Sequence, residues 1–235
     1  MKTLFFDLDN TLYDRSVPFL RAFSDFFGGR YPDETAKLAH TRCNECGNEV
    51  FADSQSGKIS MRDMYIYRFQ EGMRRAGIGI SADDALRFQE IYKSRQHMIG
   101  LTDAAARLLD LAKARFGRLA VLTNGPGEHQ RGKCARLGLE KWIPPELWFV
   151  SGELGVIKPD VQIFRLCEKK TGAAPNDAWM IGDSYETDMS GAIAAGWHTV
   201  WLDPAGDPAP DGAKKPEYIV RNLEEAAALI RELPL

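Results

Sequence analysis

Short unbroken apolar runs punctuate this chain, and each stops at polar residues. They fall at 4–6 (Leu4, Phe5, Phe6), 119–122, 148–150, 179–181 and 199–202. Runs this short and continuous read as strands buried on both faces. Between them lie segments with helical spacing, at 103–114, 128–137, 161–170, 188–195 and 223–233. The first of these is amphipathic, with Ala105, Leu108, Leu109, Leu111 and Ala112 as its apolar positions. Residues 218–220 read as an edge strand, and 203–215, rich in Pro, Gly and Asp, as a loop. Alternating short strands and helices predict an α/β fold with a doubly wound, Rossmann-like, mostly parallel sheet. From 14 to 99 the pattern is different. Helices are predicted over 16–27, 33–49, 60–75 and 81–98, with Gly28-Gly29 and Gly77-Ile78-Gly79 as breaks. Ser60 and Ser81 stand as N-caps, each with an acid three residues on. No strand is evident there. The expected organisation is a core from 1–13 and 100–235, with an inserted helical domain over 14–99.

Composition narrows the function classes. The 30 basic and 33 acidic residues are mixed along the chain, so no basic block suggests nucleic-acid binding. No run is long and apolar enough to span a bilayer. Asp7 and Asp9 interrupt the apolar start before a signal-peptide core could form, so the expected location is cytoplasmic. Four cysteines do not make a disulfide scaffold in a chain of 235 residues. Cys43 and Cys46 have a metal-like spacing, but no second Cys/His pair follows, and helix-packing thiols are the expectation.

The candidate chemistry sits where strands stop. Asp7-Leu8-Asp9-Asn10-Thr11 follows the first run, and Thr123-Asn124-Gly125 the second. Lys158-Pro159 lies on a later loop, and Gly182-Asp183-Ser184, with Asp188 beyond it, follows the fourth run. Parallel strands end at one edge, where open α/β sheets place ligands. Carboxylates converging there repel unless a cation intervenes. Several together suit a hard, oxygen-seeking cation, with Mg²⁺ the leading candidate. A lysine, a hydroxyl and loop amides suit a phosphate dianion.

In that order, these four motifs resemble those of the haloacid dehalogenase-like phosphohydrolases, over essentially the whole core. The helical insert resembles their C1-type cap. The resemblance implies a phosphomonoesterase with an aspartyl-phosphate intermediate. Asp7 would be the nucleophile. Asp9 would be the acid and then the base, carrying a proton when substrate binds because like-charged neighbours raise its pKa. Thr123, the Asn124 amide and Lys158 would hold phosphate. Mg²⁺ would be ligated by Asp7, Asp183 and the Asp9 backbone carbonyl. Thr11 would fix the loop, and Asp188 would support the metal or only cap a helix. His129 and Gln130 follow the phosphate-binding loop and could face substrate, but surface or helix-start roles are the expectation for both. Phe19, Phe23, Tyr65, Phe69 and Phe88 are read as core of the helical domain.

Within the family, the stretch from Phe6 to Tyr13 and Thr123-Asn124-Gly125-Pro126 look most like the pyrimidine 5′-nucleotidase branch. Sugar-phosphate phosphatases share much of that pattern. A phosphomutase would use the same Asp7, but Asn10 stands where many mutase-like relatives have glycine. Dehalogenases lack the second aspartate, which Asp9 supplies here. A binding protein with a retired site would have lost one of these groups. The expected partner is a small phosphate ester, with neither nucleic acid nor membrane, in a monomer or homodimer.

Overall fold

The computed structural model describes residues 1–206 and 208–234. Positions 207, in the predicted loop, and 235, at the end of the predicted core, lie outside the described residues. The chain divides into two compact units, Met1–Asp14 with Gly100–Leu235, and Arg15–Ile99.

The first unit opens with β1 (Thr3–Phe6), every residue of which is buried. The second unit then holds α1 (Ser16–Phe27), α2 (Asp33–Glu49), α3 (Phe51–Gln55), α4 (Met61–Arg75) and α5 (Ala82–Gln96). Ser60 and Ser81 accept backbone N–H bonds from Asp63 and Asp84, as their positions predict. α2 packs on α4, and α1 and α4 pack on α5. Their shared core contains Phe19, Phe23, Cys43, Phe69, Met73, Phe88 and Tyr92. Four of the five aromatics read as core are therefore there, and Tyr65 is half-buried. Gly72 permits the α2–α4 contact, because a Cβ there would meet the Cys43 backbone and Sγ at 2.6 Å. Cys43 and Cys46 are buried and free. Burial pushes the Cys43 thiol up to about 12, so it is an inert packing group at neutral pH.

The first unit continues with α6 (Asp103–Arg115), β2 (Arg118–Thr123), α7 (Gly127–Arg136), β3 (Trp148–Val150), α8 (Ser151–Leu154) and α9 (Val161–Thr171). It ends with β4 (Ala178–Gly182), α10 (Ser190–Ala195), β5 (His198–Leu202), β6 (Tyr218–Val220) and α11 (Leu223–Glu232). The six strands form one sheet in the order β3-β2-β1-β4-β5-β6, with all pairings parallel. Side chains alternate across a strand. Phe5, Ala120, Leu122 and Met180 join Ile163, Phe164 and Cys167 of α9 and Ala192 of α10 in one core cluster. α6 packs on β2 and on α11, which in turn contacts β5 and β6. β1 is central, with β2 and β4 on either side, so the strand order reverses at its C-terminal end. That is the crevice where such sheets bind ligands. Among the described residues, no helix is long and apolar enough to cross a membrane.

Candidate active site

Asp7 is the first residue past β1. Its N–H still donates to the Ile181 carbonyl at 2.9 Å, so the ladder to β4 sets its position. The chain then turns, with the Leu12 N–H on the Leu8 carbonyl. Asn10 takes a left-handed conformation, φ 60°, which asparagine tolerates better than most residues. Its side chain hydrogen-bonds the Asp183 carboxylate, a link that composition and spacing did not reveal. The Thr11 hydroxyl donates to Asp7 Oδ2 at 3.3 Å.

Lys158, 2% exposed, gathers the acids. Its Nζ donates to Asp7 Oδ1 at 2.7 Å, to Asp188 Oδ1 at 2.6 Å and to the Leu122 carbonyl at 2.9 Å. All three ammonium protons are thereby used. The Asn124 side chain brackets the lysine backbone, donating to its carbonyl at 3.0 Å and accepting from its N–H at 2.9 Å. Any phosphate contact by Asn124 therefore falls to its backbone amide, as read from the sequence, because its side chain is committed to Lys158. Gly125, at φ 145°, turns the same loop, and its N–H donates to Ser151 Oγ.

Asp188 does not cap a helix. It lies in a wide π-helical turn, Tyr185–Met189, and the cap is Ser184, which accepts from the Thr187 N–H. The turn sends Asp188 inward, where its Oδ2 accepts from the Ser184 N–H at 3.1 Å. Gly182 leaves it room, since a Cβ there would overlap the carboxylate.

Asp7, Asp183 and Asp188 offer oxygens that all lie within 4.8 Å of one another. Burial, then the other acids, pushes the Asp7 carboxyl up to about 8, against the pull of Lys158. Burial and Asp188 push Asp183 up to about 6, with Asn10 and Lys158 opposing. For Lys158, burial is the largest influence and works against its charge, but Asp188 and Asp7 together lift it above the ordinary lysine range. Three acids against one ammonium leave two negative charges when all are ionised. That deficit and the all-oxygen donor set fit a small divalent cation such as Mg²⁺.

A stability consequence follows from these shifts. Raised carboxyls mean that the folded, metal-free protein holds protons the unfolded chain has lost. The resulting stability is fully present below the ordinary value of 3.8 and is lost as pH rises through about 6 and about 8. Cation binding displaces those protons. The rise in melting temperature on adding Mg²⁺ should therefore be larger at about pH 8 than at about pH 5. Scanning calorimetry at the two pH values checks this, and an equal rise at both would contradict it.

Asp9 has different surroundings. Lys133 Nζ donates to both of its oxygens, at 2.7 and 2.9 Å, and Gln130 Nε2 to Oδ2 at 3.0 Å. The Tyr13 hydroxyl donates to Oδ1. Asp9 and Asp7 do repel across the site. These hydrogen bonds to Asp9 come from donors on Lys133, Gln130 and Tyr13. The other amide proton of Gln130 reaches Thr123 Oγ1 at 2.6 Å. Gln130 is 1% exposed and Lys133 4%, which corrects the surface reading of Gln130, whereas His129 is exposed. Sequence reasoning missed Lys133 altogether. The available signal was the stripe Gln130, Lys133, Cys134, Leu137, at helical spacing and all buried. Two polar residues on the inner face of a helix that follows a strand end call for a buried partner.

Comparison with known proteins agrees with this architecture. Residues 1–196 match the family of haloacid dehalogenase-like hydrolases. The chain is 29% identical to N-acylneuraminate-9-phosphatase of Mus musculus, over 99% of this chain and 95% of the relative. It is 25% identical to pyrimidine 5′-nucleotidase YjjG of Escherichia coli, over 97% and 96%. The magnesium-bound HAD-hydrolase YfnB of Bacillus subtilis shares its fold, with a TM-score of 0.74 at 23% identity, covering 97% of this chain and 98% of that one. The chain belongs to the haloacid dehalogenase-like hydrolases, among their phosphatases.

Proposed function

We propose that this phosphatase is a Mg²⁺-dependent monoesterase that cleaves a small metabolite's primary phosphate ester through a phosphoryl group carried on Asp7. The observation that carries the reading is the meeting of buried Asp7, Asp188 and Lys158 with half-buried Asp183 at the switch point of the sheet, beside Asp9 and Thr123. An Asp7 oxygen attacks phosphorus, and the bond to the leaving oxygen breaks as Asp9 gives that oxygen a proton. Water then attacks the phosphorus of the aspartyl phosphate, Asp9 takes a proton from it, and Asp7 is released. Lys158 keeps the nucleophile oriented and offsets the charge of an anion approaching an anion. Thr123 and the Asn124 amide hold phosphoryl oxygens. Asp7, Asp183 and Asp188 would hold Mg²⁺, together with the Asp9 backbone carbonyl, and the bound cation supplies the remaining charge compensation. The unit Arg15–Ile99, inserted directly after the Asp7 loop, is proposed as the C1-type cap that selects substrate.

The names of the two relatives guide the substrate class. N-acylneuraminate 9-phosphate and a nucleoside 5′-monophosphate both carry phosphate on a primary carbon of a sugar-like chain. A panel of phosphate monoesters containing both compounds, assayed for phosphate release with Mg²⁺ and with excess EDTA, tests the reading. The expected result is turnover of primary alkyl phosphates that EDTA abolishes. Turnover undiminished by EDTA would contradict the metal dependence, and no release from any monoester would contradict the activity.

A further inference from the structure

Four donor contacts converge on one carboxylate, and three of them come from Gln130 and Lys133 on a single face of α7. This is more than a stray ion pair. Lys133 is 4% exposed, and a buried ammonium is costly unless it is paired and hydrogen-bonded. It reaches both oxygens of Asp9, while Tyr13 donates to Oδ1 and Gln130 to Oδ2, so the two ends of the carboxylate are held by different groups. Gln130 adds a second restraint, since its one amide group ties Asp9 to Thr123. The helix carrying both residues starts directly after the Thr123-Asn124-Gly125 loop. Its register therefore links the group proposed to handle the proton with the loop proposed to hold phosphate. Nothing else in the proposed mechanism gives either buried residue a task.

We infer that Lys133 and Gln130 are positioning residues that hold the Asp9 carboxyl in line with the leaving oxygen and the phosphate-binding loop. The inference rests on the proposed role of Asp9 as proton donor. Lys133 also offsets the negative charge that Asp9 acquires once its proton has passed to the leaving group. A carboxyl freed from this clamp would rotate between orientations and spend less time aimed at that oxygen.

The consequence is selective. Proton donation matters most when the leaving group is a poor one. Phenyl phosphate and p-nitrophenyl phosphate have similar shapes, but phenol is the far weaker acid and the poorer leaving group. The experiment measures kcat/KM, which reports steps through the first phosphoryl transfer, for both esters. The proteins are the wild type, Lys133→Met, Lys133→Arg, Gln130→Met, Asp9→Asn and the double variant Asp9→Asn/Lys133→Met, each checked for folding by circular dichroism. Lys133→Met is expected to lose about tenfold or more on phenyl phosphate beyond its loss on p-nitrophenyl phosphate, a fraction of what general acid catalysis supplies. Lys133→Arg should recover part of that difference, and Gln130→Met should show a smaller one in the same direction. In the Asp9→Asn background, removing Lys133 should change the ratio no further, because coupled residues are non-additive.

Equal losses on the two esters in Lys133→Met, with Asp9→Asn still discriminating between them, would overturn the inference alone. Equal losses in Asp9→Asn itself would overturn the proton-donor reading on which it rests. If Lys133→Met does not fold, Gln130→Met carries the same comparison, with equal losses again counting against the inference.

Discussion

Replacing Asp7 by asparagine should lower kcat by roughly four orders of magnitude or more, the scale seen when a nucleophile is removed from an otherwise intact site. The side chains are nearly isosteric, so the turn from Leu8 to Leu12 and the Thr11 contact can persist. The amide oxygen is a poor nucleophile, so the covalent step loses its attacking group. Stability should move the other way. Asp7 is a desolvated carboxyl whose value is pushed up to about 8, so its ionised form is disfavoured by the fold near neutrality. Without metal, Asp7→Asn should melt no lower than wild type at about pH 8, where the native carboxyl is partly ionised. Steady-state phosphate release and a thermal melt read the two effects. Retained turnover, with deamidation excluded by mass measurement, would remove the nucleophile assignment.

Lys158→Met is expected to be damaging in both respects. The ammonium is the shared partner of Asp7 and Asp188 and caps the Leu122 carbonyl. Removing one side of a buried charged network leaves the other uncompensated, at a cost of about 3–5 kcal/mol. Lys158→Arg is no conservative substitute, because a planar fork does not reproduce three divergent donors from one nitrogen. Activity should fall with stability, since attack by an anion on a phosphate dianion loses its fixed positive charge. Mg²⁺ should restore a larger share of the stability in Lys158→Met than in wild type, because a dication can neutralise the same acids. Equal Mg²⁺-induced shifts in the two proteins would contradict the charge-deficit account.

Much of this architecture was legible in the sequence, for local reasons. The strands are short apolar runs ended by polar residues, and β1 could be placed because Phe5 and Phe6 stop at Asp7. The caps at Ser60 and Ser81 follow from hydroxyls three residues before acids. Parallel strands share an edge, so Asp7, Lys158 and Asp183 could be brought together without coordinates. What stayed hidden depends on exact rotation. For Asp188 the sequence left metal support and a helix cap both open, because periodicity does not announce a π-helical turn, and one extra residue in the turn decides whether its side chain points in or out. Gln130 and Lys133 are polar members of a buried stripe, and polarity alone reads as surface. Asn10 combines a left-handed turn residue with a hydrogen bond to an acid 173 positions away, a pairing that needs the fold to be seen.

The most direct measurement is chemical. Acid quenching of the enzyme during turnover of p-nitrophenyl phosphate with Mg²⁺, followed by peptide mass analysis, should find one phosphoryl group on the peptide that contains Asp7. It should be absent from Asp7→Asn and lost on treatment with hydroxylamine, which cleaves acyl phosphates. Turnover with that peptide unmodified at every quench time, or with the phosphoryl group on another side chain, would contradict the account.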